Sequence, residues 1–283
     1  MVLSDTFKVI SLFGADVDQW ARGNEFEPMT ALLSKDEIER ADRFQFEHLK
    51  ERFLWGRVFL RQVLGRLTGV EAADVQFGVG FNGKPFLEGS RGTAGNFSFS
   101  RSGRFVVCCF ATESQVGMDV EVRKELEDMA AISRTIFRDD SYTKWDALPE
   151  EQKLNAFYQS WTRKEAVAKV DGQGISNGLA DIDVPLGNLE RSKATCVRLH
   201  ESALGQEQVG SGLAVLSDWC PFDEVAASVA FELDLAEGFE VEFCDQSEFN
   251  ASGGEPSLFD SNFPIVVARR QFSFVEKENE GDE

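Results

Sequence analysis

At 283 residues and 42% hydrophobic content, the chain has room for one large domain or two of about 140 residues. Its net charge of −20 argues against a nucleic-acid partner, because phosphate binding needs a basic face. No run approaches the ~18 consecutive apolar residues of a membrane span, so no membrane role is expected.

The chain opens MVLSDTFKVISLF, which lacks the positive region of a signal peptide; a cytoplasmic protein is expected. Within that stretch, 7–13 reads as a strand. Ser34 and Glu37 have capping-box spacing and start a helix that runs to Phe44. A second helix is predicted over 47–68, with Phe53, Leu60, Val63, Leu64 and Leu67 on its core face and Arg57 and Arg61 at the edge. From Arg40 to Arg66 seven basic residues stand against three acids. This island suits either a phosphorylated ligand or a solvated helix surface. GVGFNGKP (78–85) matches GxGxxG and nearly matches a P-loop, yet Pro85 and the strand-like PFL leave no helix N-terminus for a phosphate.

Phe97–Ser102 and Phe105–Ala111 read as a hairpin turned at Gly103. In VGMDVEV (116–122), strand alternation sends Val116, Met118, Val120 and Val122 one way and Asp119 and Glu121 the other. Two carboxylates roughly 7 Å apart on one face suit a shared hard cation, or an edge strand showing acids to water. Gly117, just before Asp119, would let a ligand or another chain come close. Helices are predicted over 127–137 and 150–171. In the second, Phe157, Trp161 and Ala168 make an apolar strip with Glu165 and Lys169 one turn apart at its edge. Taken alone, that is also an ordinary i, i+4 ion pair. Strands follow at 194–200, 211–219 and 226–233. The five cysteines form no CxxC pair, and His48, lying among charges, and His200, on a strand, read as surface residues. From 232 to 283 there are fourteen acids and three basic residues. That stretch reads as a peripheral extension with hydrophobic pieces at 239–243 and 263–275 and a disordered end from Glu276.

Trp-x-Arg occurs on both long helices, at Trp55–Arg57 and Trp161–Arg163, and strands follow each. The expected fold is therefore α+β, with two similar lobes, 1–114 and 115–235, and the acidic extension 236–283. Three carboxylates, a lysine and an upstream basic island point to metal-assisted phosphoryl transfer.

ERADRF (39–44), the spaced arginines of 52–61, GKPFL (83–87), FSFSRSG (97–103), GMDVE (117–121) and WTRKEAVAKVDGQGIS (161–176) resemble, in this order, the 4′-phosphopantetheinyl transferase superfamily of surfactin-synthetase type. The resemblance covers roughly 35–235. It implies a monomeric enzyme of two lobes related by a pseudo-twofold axis, each a small antiparallel-type sheet on a long helix. It implies coenzyme A as co-substrate and apo acyl or peptidyl carrier proteins as partners. Mg²⁺, with Mn²⁺ as an alternative, would sit on Asp119, Glu121 and Glu165. Glu165 and Lys169 would be catalytic, the first helping to remove the serine proton and the second stabilising the departing phosphate. Arg57, Lys84, Ser100, Arg101, Lys164 and Lys169 would bind coenzyme A. Two positions depart from the family pattern: Arg101 replaces the usual histidine, and Ser98 the usual asparagine. A non-catalytic relative that binds coenzyme A or a carrier, and a Mg²⁺-dependent nuclease, are the competing readings.

Overall fold

The computed structural model describes residues 8–23, 26–80, 83–88, 95–170, 172, 178–187, 194–198, 213–233, 239–244, 248–249 and 265–276. The expectations for His200 and for the end after Glu276 fall outside them. Two antiparallel sheets lie against each other. The first runs β10 (Phe239–Cys244), β12 (Ile265–Glu276), β1 (Lys8–Asp16), β5 (Phe105–Ala111), β4 (Asn96–Ser102), with β11 (Glu248–Phe249) also on β12. The second runs β6 (Val116–Val122), β9 (Val225–Leu233), β8 (Leu213–Asp218), β7 (Ala194–Arg198). A short hairpin pairs β2 (Phe77–Val79) with β3 (Pro85–Leu87). The mixture of helix and antiparallel sheet is the α+β class expected.

Period-two alternation explains the layering. Ile10 and Leu12 of β1, with Phe105, Val107 and Cys109 of β5, meet Val116, Met118 and Val120 of β6 and alternate residues of β9 in a core between the sheets. The intervening residues Phe13, Ala15, Val106, Cys108 and Phe110 face the other way, onto Trp55, Val58, Phe59 and Val63 of α4 (Glu47–Thr68). In the second sheet, Ala214, Leu216, Ala226 and Ala230 turn outward onto α7 (Glu150–Val170). Strands β5, β8 and β9 are thus buried on both faces, with a long helix outside each sheet. Burial of both Cys108 and Cys109 follows, and burial lifts the Cys109 thiol to about 12.

The smaller helices cover the flanks. α1 (Val17–Gly23) and α2 (Glu27–Thr30) precede α3 (Lys35–Ala41), whose Ser34–Glu37 capping box is present as predicted. α5 (Met129–Ile136) and α6 (Asp139–Asp146) lead into α7; only the first of them was legible in the hydrophobic pattern. The acidic extension is less peripheral than its composition suggested. β12 pairs with β1 along eight positions, from Lys8 opposite Phe272 to Ala15 opposite Ile265, and so makes β1 an interior strand. Among the described residues, no helix is long and apolar enough to cross a membrane.

Candidate active site

The site forms where α7 crosses β6. Residues 116, 118 and 120 of β6 are committed to the core, so 117, 119 and 121 face the helix. Gly117 makes the crossing close. A Cβ there would lie 1.9 Å from the Ala166 carbonyl oxygen and 2.8 Å from the Val170 nitrogen. The space expected for a ligand or another chain is taken by the backbone of α7 itself. One helical turn then separates Glu165 from Lys169, and both meet the acids of β6.

Asp119 is 4% exposed. Its Oδ1 accepts from Lys169 Nζ at 2.6 Å and from the Ser100 hydroxyl at 2.7 Å. Its Oδ2 is buried and has no hydrogen bond. An ionised oxygen left dry in this way is costly unless something cationic faces it. Lys169 Nζ also reaches the Met118 carbonyl at 3.2 Å, and its side chain stays 30% exposed. Glu121 Oε2 accepts from the Ser102 hydroxyl at 2.6 Å. Burial lifts Glu121 above the usual carboxylate range, opposed by that hydrogen bond and reinforced by Asp119. Burial also lifts Glu165, Lys169 pulls it back, and Asp119 and Glu121 push it up again. The three carboxylates therefore feel one another. Among the described residues, no three His, Cys, Asp or Glu side chains form a ready metal-binding set. The donors are nonetheless all hard oxygens, the chemistry a divalent cation of the magnesium class takes.

A ladder of serines on β4 joins the two sheets at this point. Ser98 Oγ accepts from the Met118 N–H at 3.0 Å, and Ser102 Oγ accepts from the Val122 N–H at 3.1 Å. Side chains thus take the place of a neighbouring strand along the free edge of β6. Ser98 serves here as a bond to β6. The period-two signal was present in FSFSRS, but its partner was invisible without β6 alongside.

The same alternation separates Ser100 from Arg101. Ser100 faces the acids; Arg101 turns toward α4, its guanidinium 5.4 Å from the Phe53 ring centre and 5.8 Å from that of Phe44. Arg40 stands 5.4 Å from the Phe53 ring as well. Burial holds Arg101 below the ordinary guanidinium range, with Arg40 and Arg57 adding repulsion. Three cations therefore crowd one place, and Arg40 is a member that was not singled out from the sequence. Arg57 has part of its capacity engaged: Nε donates to Glu37 Oε1, and its guanidinium lies 4.6 Å from the Phe77 ring centre. Burial lowers Arg57, Glu37 opposes that, and Arg61 and Arg40 add to it. Arg61 is buried, donating to Glu37 Oε2 at 2.7 Å and to the Val75 carbonyl at 2.8 Å, and serves the fold.

Two lysines expected to contact coenzyme A, Lys164 and Lys84, have their ammonium groups on backbone carbonyls. Lys164 is 3% exposed and donates to the carbonyls of Leu179 and Ile182; burial lowers it to about 8. Adjacent helical residues point 100° apart, so the position beside Glu165 does not face the acids. Lys84 donates to Gln115 Oε1, the Val116 carbonyl and the Val170 carbonyl. Arg163, beside them in the motif, is fully buried on Asp218 and the Pro185 and Gly187 carbonyls. His48 is exposed, as expected.

Residues 115–224 match the model of the 4′-phosphopantetheinyl transferase superfamily, and residues 18–114 match the 4′-phosphopantetheinyl transferase N-terminal model. The 4′-phosphopantetheinyl transferase HetI of Nostoc sp. is 34% identical over 171 residues, covering 60% of this chain and 72% of that protein. The 4′-phosphopantetheinyl transferase Sfp of Bacillus subtilis is 27% identical over 177 residues, 62% of this chain and 77% of that protein. Matched by both family models and 34% identical to a relative of which it covers 72%, the chain belongs to the 4′-phosphopantetheinyl transferase superfamily.

Proposed function

We propose that the chain transfers the 4′-phosphopantetheine group of coenzyme A to a serine hydroxyl of an apo acyl or peptidyl carrier protein. The observation that carries this reading, in a chain of this family, is Asp119: one oxygen on the Lys169 ammonium, the other buried without a hydrogen bond. In the reaction the serine oxygen bonds to the phosphorus that bears pantetheine. The bond from that phosphorus to the bridging oxygen breaks, and adenosine 3′,5′-bisphosphate leaves with the electron pair. Glu165 suits the role of proton acceptor, because burial and its carboxylate neighbours raise its proton affinity. Lys169 suits the leaving phosphate, since a partly exposed ammonium offsets the charge that develops there. Asp119, Glu121 and Glu165 would hold Mg²⁺, or Mn²⁺ in its place. Such an ion, when bound, supplies further neutralisation of the pyrophosphate.

Arg40, Arg57 and Arg101 are the reading's choice for the 3′-phosphate end, as three guanidinium groups crowd together beside aromatic rings there. The chain is taken as a cytoplasmic monomer of two lobes, 1–114 and 115–235, with 236–283 added to the first; the two family models meet at 114/115. Intact-protein mass spectrometry of apo carriers with the enzyme, coenzyme A and Mg²⁺ tests the activity. A mass gain equal to phosphopantetheine, absent with chelator or a carrier Ser→Ala variant, is expected. No gain on any carrier, with coenzyme A still bound, leaves a non-catalytic relative.

A further inference from the structure

Lys84 is fastened to the protein rather than held out toward a ligand. Its Nζ donates to the Val170 carbonyl at 2.8 Å, the Val116 carbonyl at 3.0 Å and Gln115 Oε1 at 3.1 Å. Val170 is the last residue of α7, so its carbonyl is one of the four that a helix leaves without an internal partner. A cation there also offsets the negative end of the helix dipole. Val116 is the first residue of β6. The stem is held as well: Gly172, at φ 71°, passes so close that an added Cβ would lie 3.1 Å from Lys84 Cβ and 3.2 Å from Cδ. Gln115 continues the chain of contacts by donating to Asn96 Oδ1 at 3.1 Å, at the start of β4.

We propose that Lys84 is a positioning residue: it ties the last turn of α7 to the first residues of β6, and so sets the distance across which Lys169 meets Asp119. Lys169 is the residue before Val170, and Asp119 lies three after Val116, so the tie spans the two ends of that ion pair. The Gly117–Ala166 contact cannot do this. The absent side chain lets the helix come near but holds nothing, whereas the Lys84 bonds stop its end from moving away. The Lys169–Asp119 pair cannot hold the crossing either, once the ammonium turns to a leaving phosphate. This inference rests on the transferase reading for its catalytic part, and on geometry alone for the tie.

The test compares Lys84→Met and Lys84→Arg with the wild-type chain. Amide hydrogen exchange over 166–170 and calorimetric coenzyme A binding are measured without a carrier; kcat and KM for coenzyme A are measured with one. For Lys84→Met, exchange over 166–170 is expected to rise, and kcat to fall, by about tenfold or more, with KM and Kd for coenzyme A within about threefold. Lys84→Arg, which keeps a cationic donor, is expected to recover most of both. Coenzyme A binding weakened about tenfold with native exchange would make Lys84 a phosphate ligand and overturn the inference. Raised exchange with an unchanged kcat would overturn the positioning role. Should Lys84→Met not fold, Lys84→Arg alone decides, since native exchange with about tenfold weaker coenzyme A binding again overturns it. A wild-type chain without transfer fails the reading above and leaves the exchange and binding arms to decide whether the tie exists.

Discussion

At the scale of single residues, the site is a problem of charge in a dry place. Asp119 keeps one oxygen on Lys169 and leaves the other unpartnered. Asp119→Asn or Glu165→Gln is expected to slow transfer by about 10²-fold or more, measured as single-turnover carrier modification at saturating coenzyme A. Near-native turnover by either variant at limiting Mg²⁺ would remove that side chain from the mechanism. The same substitution of Glu165 should act oppositely on stability. Its folded pKa is raised, so the fold disfavours the charged form. The cost sets in as pH rises from the unfolded carboxylate range through the raised value. Glu165→Gln should therefore melt higher than the wild-type chain at pH 7 in chelator, and the gain should shrink toward pH 4. Arg101 adds a second expectation. A guanidinium does not titrate near neutrality, so coenzyme A affinity should depend less on pH between about 6 and 7 than it does with histidine in that place. A relative with histidine at the matching position serves as the comparison, and equal falls in both proteins would count against a phosphate contact by Arg101.

At the scale of elements, the decisive contact is α7 on β6. Gly117→Ala forces a methyl group into the Ala166 carbonyl, where neither side is a flexible side chain. The expected cost is about 3 kcal/mol, read by chemical denaturation, with transfer reduced because Lys169 recedes from Asp119. An unchanged denaturation midpoint would mean that the helix shifts freely, and the close crossing would lose its significance. The serine ladder makes a milder case. Ser98→Ala strips the Met118 N–H of its acceptor in a buried seam, for roughly 1–3 kcal/mol. Ser102→Ala frees both the Val122 N–H and Glu121, so it should lose activity as well as stability.

At the scale of the whole molecule, the two sheets share one core and β12 closes the first sheet over β1. The family models end at residue 224, so this closure is supplied by a segment beyond them. Truncation after residue 234 uncovers the N–H and C=O groups along β1 over eight paired positions. Such an edge invites pairing with another chain. The truncated chain should melt lower and show concentration-dependent self-association in sedimentation velocity. A truncated chain that stays monomeric with an unchanged melting point would make the closure dispensable.

Much of the molecule was legible before any coordinates. The capping box of α3, the long helices, the β4–β5 hairpin and the split of β6 into a core face and an acid face all follow from local periodicity. The acids and Lys169 were found because a strand fixes one face every second residue and a helix brings i and i+4 together. By itself, then, the sequence determined the long helices, the β4–β5 hairpin, the acids on one face of β6, and the family through the order of its motifs. Tertiary structure decided which acceptors each cation meets, because contacts between residues distant along the chain depend on how helix and sheet cross. It set Arg101 against the rings of Phe44 and Phe53 and Lys164 on the carbonyls of Leu179 and Ile182. It also drew Lys84 onto carbonyls 32 and 86 residues away. The acidic extension shows the same limit: composition reports how well a segment dissolves, but its place beside β1 is set by backbone hydrogen bonds that composition does not record.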